Sequence, residues 1–393
     1  MRIAFSEEQE QLRRELRDYF AKLMTPERRQ ALAVGEGDYG DGVAYKETVR
    51  QLGRDGWLGI GWPKEYGGQA RTMMEQLIFT DEAAIANAPV PFLTINSIGP
   101  TIMTYGTEEQ KQKFLAPILA GEIQFAIGYS EPEAGTDLAS LKTKAVRSGD
   151  EYIVNGQKMW TSLVEYSQYV WLAVRTDPDV KKHKGLSVLI VPTDAEGFRF
   201  APVHTVAGAR TNATFYEDVR VPVGNRVGEE NEGWRLITNQ LNHERVALTS
   251  SARVAAALRD VREWAQSAKL SDGRRVIDQE WVQMHLARVH AKTEFLKLIN
   301  WKIAWGVRQG VGPQDASATK VFGTEFYTEA YRLLMEVLGQ ESVIAAKSPG
   351  SLLRSRVERM YRSTLILTFG GGTNEVQRDI IAMVGLGMPR APR

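Results

Sequence analysis

One run in this sequence has the makings of acid–base chemistry, Asn242-His243-Glu244-Arg245. At about 100° per residue, Trp234, Ile237, Leu241, Leu248 and Ala252 fall on one apolar stripe of a helix, and Glu244 and Arg245 fall on its two shoulders. A carboxylate beside a core-facing stripe is costly unless paired, and burial raises its pKa. That makes Glu244 a candidate general base with Arg245 beside it; the same pattern also serves a structural ion pair. A second stretch, Gln124 to Ser162, collects different chemistry. It holds Ser130-Glu131-Pro132-Glu133-Ala134-Gly135-Thr136-Asp137 and then Asn155-Gly156-Gln157-Lys158-Met159-Trp160-Thr161-Ser162. Hydroxyls, loop N–H groups and one indole suit a flat heteroaromatic ligand with polar edges; a plain loop between strands has the same composition. The third candidate is Phe369-Gly370-Gly371-Gly372-Thr373-Asn374-Glu375. Three glycines let a backbone approach a ligand closely, and the run equally reads as one helix ending and the next one starting.

Other chemistries are excluded or disfavoured. With 49 basic and 48 acidic residues in 393 the formal charge is +1, which gives no electrostatic footprint for nucleic acid. There is no cysteine, so disulfides, thiol catalysis and cysteine-held metals are excluded, and a reducing cytoplasm is the expected setting. The five histidines show no ligand spacing, so no metal is expected. No apolar run approaches membrane-spanning length, and the first residues carry no apolar leader pattern. Gly35-Glu36-Gly37-Asp38-Tyr39-Gly40 matches a dinucleotide fingerprint, but no strand leads into it and its acids would repel a pyrophosphate. Lys181-Lys182-His183-Lys184 reads as a solvated turn, with a phosphate contact as the alternative.

The elements that must position these residues change character along the chain. Ser6 with Gln9 and Thr107 with Gln110 form capping boxes, and helices are expected after each and over 43–54 and 73–87. Gly53 to Pro63 is too glycine-rich for a regular element and reads as a packed loop. Short strands are expected at 124–129, 141–147, 152–160, 169–175, 186–191 and 213–221, with Asn155-Gly156 as a hairpin signal. Helices do not alternate with them, so a small antiparallel barrel or sandwich is expected in place of a doubly wound sheet. Long helices return at 229–268, 278–309, 313–338, 349–368 and 374–384, which implies a bundle.

Taken together, Tyr129-Ser130-Glu131-Pro132 with Ala134-Gly135-Thr136-Asp137, and Asn155 to Ser162, resemble the flavin segment of acyl-CoA dehydrogenases. The resemblance runs through essentially the whole chain, including Gly59-Ile60-Gly61-Trp62-Pro63-Lys64-Glu65-Tyr66-Gly67-Gly68 and Gly372-Thr373-Asn374-Glu375. It implies an α+β fold with an N-terminal helical domain over 1–122, a central antiparallel β-barrel or sandwich over 123–226 and a C-terminal four-helix bundle over 227–393. It also implies FAD as cofactor and α,β-desaturation of an acyl-CoA thioester.

Positions carry over one by one. Ser130 matches a hydroxyl on the flavin's pyrimidine edge, Thr136 one near the pyrophosphate, Trp160 the aromatic beside the isoalloxazine and Ser162 the hydroxyl near N5. Ile127, Tyr129, Gly372, Thr373 and Glu375 match further cofactor-contacting positions. Many members place the catalytic glutamate where this chain has Gly371; other branches place it on the first bundle helix, where Glu244 stands. The family's Arg-x-x-Phe-Gly is absent at Val261 to Gln266, and Glu336 replaces a glutamine expected near the pyrophosphate or adenine. The chain looks most like the actinobacterial branch of sterol side-chain β-oxidation, whose enzymes pair two unlike subunits in a heterotetramer. A steroid acyl-CoA substrate, an unlike partner subunit and an electron-transfer-flavoprotein type of acceptor are what that resemblance implies.

Overall fold

The computed structural model describes residues 3–33, 42–208, 210–247, 249–306, 312–345 and 348–389, with the side chains of 33, 241–247 and 354 left out. Among the described residues six α-helices come first: α1 (Glu7–Leu23), α2 (Pro26–Ala33), α3 (Val43–Arg54), α4 (Met73–Ala86), α5 (Gly99–Tyr105) and α6 (Glu108–Leu119). The expected capping boxes are present on α1 and α6, and Thr72 with Glu75 makes a third on α4. Each box satisfies end N–H groups with residues three apart, so these helix starts are set locally. The glycine-rich segment between α3 and α4 is a packed loop, with Trp57, Leu58, Ile60 and Trp62 all buried. The Gly35 to Gly40 motif lies outside the described residues.

Eight strands follow: β1 (Phe125–Gly128), β2 (Lys144–Ser148), β3 (Glu151–Lys158), β4 (Tyr169–Arg175), β5 (Leu186–Pro192), β6 (Phe198–His204), β7 (Arg210–Pro222) and β8 (Arg226–Val227). They make one sheet in the order β6-β7-β3-β2-β4-β5-β8, with β1 against β4. Of the expected antiparallel barrel or sandwich, the sandwich is what forms; the barrel and the purely antiparallel pairing are corrected. β1 runs parallel to β4 over four residue pairs, β2 meets β4 in parallel register at Lys144 and Arg175, and the sheet is mixed, sandwich-like and not closed. Parallel neighbours usually need a helical crossover; here the β2–β3 hairpin fills the connection from β1 to β4, which the missing β-α-β pattern could not reveal. β4 shows why it can have neighbours of both kinds. Trp171 and Ala173 pack into the core shared with the N-terminal helices, while Val170, Leu172 and Val174 pack into the core inside the sheet. The two faces follow the period of two along a strand, and both are buried.

The Asn155-Gly156 hairpin signal is also corrected. The hairpin turn is Gly149-Asp150, between the paired residues Ser148 and Glu151. Gly156 sits inside β3, where the register against β7 shifts. Asn155 and Asp218 bond each other across that bulge at 2.8 and 3.0 Å. A β-carbon at 156 would meet the Cα of Thr143 at 2.7 Å, so glycine is required there by close approach.

Among the described residues six α-helices make up the last part: α7 (Gly233–Ala247), α8 (Ser251–Ser267), α9 (Glu280–Gly306), α10 (Pro313–Leu338), α11 (Arg356–Thr364) and α12 (Asn374–Ile380). The single helix expected over 229–268 is two, so Ala252 belongs to α8 and not to the stripe of α7. A second core, including Val254, Leu286, Tyr327 and Leu334, fills the bundle of α8, α9 and α10. Among the described residues no helix is long and apolar enough to cross a membrane, and no group of histidine, aspartate and glutamate side chains could hold a metal ion.

Candidate active site

The wall of the site is built on a buried ion pair. Glu131 lies under the loop that leaves β1 and accepts the backbone N–H groups of Lys142 at 2.7 Å and Thr143 at 2.8 Å. Its Oε1 also takes the Lys158 Nζ at 2.8 Å, and that ammonium donates to the Tyr129 carbonyl at 3.0 Å. Burial pushes Lys158 down to about 8, opposed by the Glu131 charge. Burial pulls Glu131 upward, but the Lys158 charge and the three hydrogen bonds outweigh it and hold the carboxyl below its ordinary value. Both groups are therefore charged at neutral pH. The Met159 N–H donates to the Ser130 carbonyl at 2.8 Å, so the end of β3 and the loop 129–131 form one unit.

That unit presents the cofactor candidates. Tyr129 is buried, and Ser130, Thr136 and Trp160 offer side-chain donors that meet no partner among the described residues. Trp160 is 54% exposed and has a left-handed backbone, φ 64°, at the corner where the chain leaves β3. The indole at this left-handed corner leaves its ring open to solvent and takes little part in packing. Ser162 shares a hydrogen bond with Thr211 at 2.9 Å. Ile127, on β1, packs against the helical core, so its contribution to the wall is a backbone position. The donor set fits FAD: hydroxyls for polar ring edges and an indole for the ring face.

The glycine turn lies after α11. Arg362 on α11 donates to the Val206 carbonyl at 2.6 Å, which ties this end of the bundle to the β6–β7 loop. Gly371 and Gly372 have φ of 69° and 98°, so both positions favour glycine. The Thr373 hydroxyl caps α12 through Val376 N–H at 3.2 Å, and Glu375 is exposed one residue into that helix. The sequence had not singled out Lys320. This fully buried lysine of α10 donates to the carbonyls of Thr368 at 3.2 Å and Gly372 at 2.6 Å and to the Asn374 side chain at 2.7 Å. Its neighbours on α10 include Ser317 and Thr324, so no apolar stripe marked the lysine out in the sequence.

α7 connects to the wall through Gln240. The Tyr129 hydroxyl donates to Gln240 Oε1 and accepts the Trp171 indole N–H at 3.1 Å. Gln240 is fully buried, and its Nε2 has no partner among the described residues. Position 244 follows Gln240 by one helical turn on the same face. The side chains of Glu244 and Arg245 themselves lie outside the described residues. Glu336, the residue that replaces the expected glutamine, is bonded to His285 Nε2 at 2.7 Å and to Arg332. The Lys181 to Lys184 run is the expected exposed turn, with Lys182 paired to Asp137 at 2.7 Å and His183 edge-on to Trp234.

Models of the N-terminal, middle and C-terminal domains of acyl-CoA dehydrogenase match residues 6–122, 126–219 and 231–386. The chain belongs to the acyl-CoA dehydrogenase family, and its cofactor is FAD. Acyl-CoA dehydrogenase FadE26 of Mycobacterium tuberculosis (strain ATCC 25618 / H37Rv) is 68% identical over 400 residues, covering 100% of both sequences. Acyl-CoA dehydrogenase FadE29 of the same strain is 48% identical over 394 residues, again covering 100% of both. A chain in the crystal structure of the ChsE4-ChsE5 complex from Mycobacterium tuberculosis is 68% identical, with a TM-score of 0.94 and 100% of each chain covered. A chain of the Tcur3481-Tcur3483 steroid ACAD is 49% identical, with a TM-score of 0.92 and 100% of each covered.

Proposed function

We propose that this protein is one subunit of a cytoplasmic enzyme that introduces an α,β double bond into a steroid-derived acyl-CoA, with Glu244 as the base. The Tyr129–Gln240 hydrogen bond carries the reading, because it sets α7 against the cofactor wall one turn before position 244. Bound FAD supplies the acceptor for the β-hydrogen. Ser130, Thr136, Trp160 and Ser162 hold the cofactor through hydroxyls and the indole; Tyr129, the backbone at Ile127, and Gly372, Thr373 and Glu375 complete its surroundings. Glu244 takes the α-proton, and Arg245 orients it. A carboxylate shielded from water gains basicity towards a weakly acidic C–H. The glycines at 370–372 leave space that suits a bulky, ring-containing acyl group.

The steroid substrate is supported by the likeness to a steroid ACAD, and an unlike partner subunit by the likeness to the ChsE4-ChsE5 complex. Glu336 adds support for the partner. Its carboxylate is engaged by His285 and Arg332 within this chain, so the far half of an FAD has no glutamine amide to meet there. Trp281, Met284, Phe295, Leu298 and Trp305 form an exposed row along α9 that an unlike acyl-CoA dehydrogenase subunit would cover. An electron-transfer flavoprotein type of acceptor completes the reaction. The test is Glu244→Gln in the copurified complex, assayed with steroid, branched and linear acyl-CoAs and a ferrocenium acceptor. Turnover should collapse while bound flavin is retained; undiminished turnover would show that Glu244 is not the base.

A further inference from the structure

The break between α7 and α8 is held from three directions. Ser250 is the N-cap of α8, and its Oγ accepts the Ala252 N–H at 3.1 Å. The same hydroxyl donates to Asp81 Oδ1 on α4 at 2.6 Å. The Ser250 carbonyl accepts the hydroxyl of Tyr327, a fully buried residue of α10. The next N–H, from Ser251, donates to the Asn300 side chain on α9 at 3.3 Å. Thr249 is fully buried against Gly323 of α10, where a β-carbon would meet the Thr249 Cβ at 2.5 Å. Three consecutive residues thus contact three other helices, one of them from the N-terminal region.

A plain helix cap needs none of this. An N-cap serine satisfies its own helix with one hydroxyl. Here the hydroxyl is shared with a carboxylate far away in sequence, the carbonyl is tied to a buried phenol, and a glycine in mid-helix makes room for the residue before. Glycine in a helix interior is unfavourable by about 1 kcal/mol relative to alanine, so its presence in α10 needs a packing reason, and Thr249 supplies one. The residue so fixed, Ser250, is the sixth after Glu244 and lies three residues past the end of α7, the helix whose Gln240 meets Tyr129. α7 is therefore pinned on both sides of position 244, to the cofactor wall before it and to this junction after it.

We propose that Asp81 is a positioning residue for proton abstraction: acting through Ser250, it fixes the α7–α8 junction and with it the placement of Glu244 against the substrate. The inference rests on the assignment of Glu244 as base. Asp81 touches neither substrate nor cofactor in this scheme, and its action passes through Ser250. A misplacement of about 1 Å at a reacting group can lower a rate by about a hundredfold, so a small slackening of the junction is enough to be read kinetically.

The experiment uses the flavin-loaded complex with its partner subunit and a steroid acyl-CoA that it turns over. Asp81→Ala and Ser250→Ala should lower kcat by about tenfold to a hundredfold, with KM and bound flavin per chain near the wild-type values. Ser250→Thr, which keeps the hydroxyl, should restore most of kcat. Gly323→Ala presses on Thr249 without altering a polar group and should lower kcat in the same way, so the inference remains testable if a polar variant fails to fold. Exchange of the substrate's α-hydrogen with solvent deuterium, followed without an electron acceptor, should slow in step with kcat. A kcat near wild type in both alanine variants overturns the proposal, as does a loss of kcat that only follows a loss of bound flavin, or a failure of Ser250→Thr to recover. Glu244→Gln is run alongside. If it is inactive while the junction variants are not, the positioning role fails and the base stands; if it is fully active, the base assignment fails and the positioning role falls with it.

Discussion

Replacing Lys158 with methionine probes the foundation of the cofactor wall. The substitution keeps most of the side chain's length and removes its charge. Two bonds go with it, to Tyr129 O at 3.0 Å and to Glu131 Oε1 at 2.8 Å. The pair is buried, with side-chain exposures of 0% and 7%, so solvent screening does little to reduce the effect. Removing one partner of a buried pair costs about 3–5 kcal/mol, because the other charge is left uncompensated. Glu131 keeps the N–H groups of Lys142 and Thr143, which places the expected loss at the lower end, about 3 kcal/mol. For a chain of 393 residues a loss of that size corresponds to a drop in melting temperature of about 4 °C. The assay is thermal unfolding of the flavin-loaded protein, followed by tryptophan and flavin fluorescence, with flavin content measured before heating. Adding Glu131→Gln to Lys158→Met removes both charges, and the double variant should be more stable than Lys158→Met alone. A melting point within about 2 °C of wild type for Lys158→Met, or a double variant that loses the full sum of the two single effects, would refute the role given to this pair.

Three further outcomes concern groups elsewhere in the chain. Burial pushes Asp81 from its ordinary 3.8 up to about 7, with Ser250's hydrogen bond pulling the other way, Glu82 adding to the rise, and Arg13 and Lys297 opposing it. The folded state then holds a proton that the unfolded state releases, so this group's share of stability is complete below about pH 4 and is lost as pH rises to about 7, by up to about 4 kcal/mol. Asp81→Asn should flatten that part of the stability curve, which urea unfolding at a series of pH values would show. Gly156→Ala forces a β-carbon against Thr143 at the β3 bulge and should destabilise by about 1–3 kcal/mol, seen as a lower melting point. Lys320→Met leaves the acceptors at Thr368, Gly372 and Asn374 without their donor. Each buried orphan costs about 1–3 kcal/mol, so limited proteolysis should cut near 365–375 faster than in wild type.

Much of the architecture was legible because its causes are local. The capping boxes at Ser6 and Thr107 need only residues three apart, and α3, α6, α10 and β4 fall where the pattern put them. β6 was missed because five of its seven residues are exposed and Pro202 interrupts it, so it lacks the alternation that marks a half-buried strand. α5 was missed for a similar reason, being short and opening on Gly99-Pro100. Among the candidate site residues, the hydroxyls and the indole between Ser130 and Ser162 were singled out from type and spacing, and the structure brings Ser130 and Trp160 together at the end of β3. Lys320 and Gln240 were not, since each acquires its role from a partner far away in sequence.

The Asn155-Gly156 step and the α7–α8 break show where sequence ceases to decide. By itself the sequence settled helix starts and strand periodicity, because these depend on neighbours along the chain. Asn-Gly is a turn signal locally, yet here the pairing of Gly156 with Tyr216 and the contact with Thr143 hold it inside a strand. Apolar periodicity runs on through residues 229–268, yet two helices form, because Asp81, Asn300 and Tyr327 converge on Ser250 and Ser251 from three other helices. A local preference is worth about 1 kcal/mol, whereas several buried bonds made at once outweigh it. Only the tertiary structure brings those bonds together, and it is the tertiary structure that sets the helix of Glu244 against the wall built on Lys158 and Glu131.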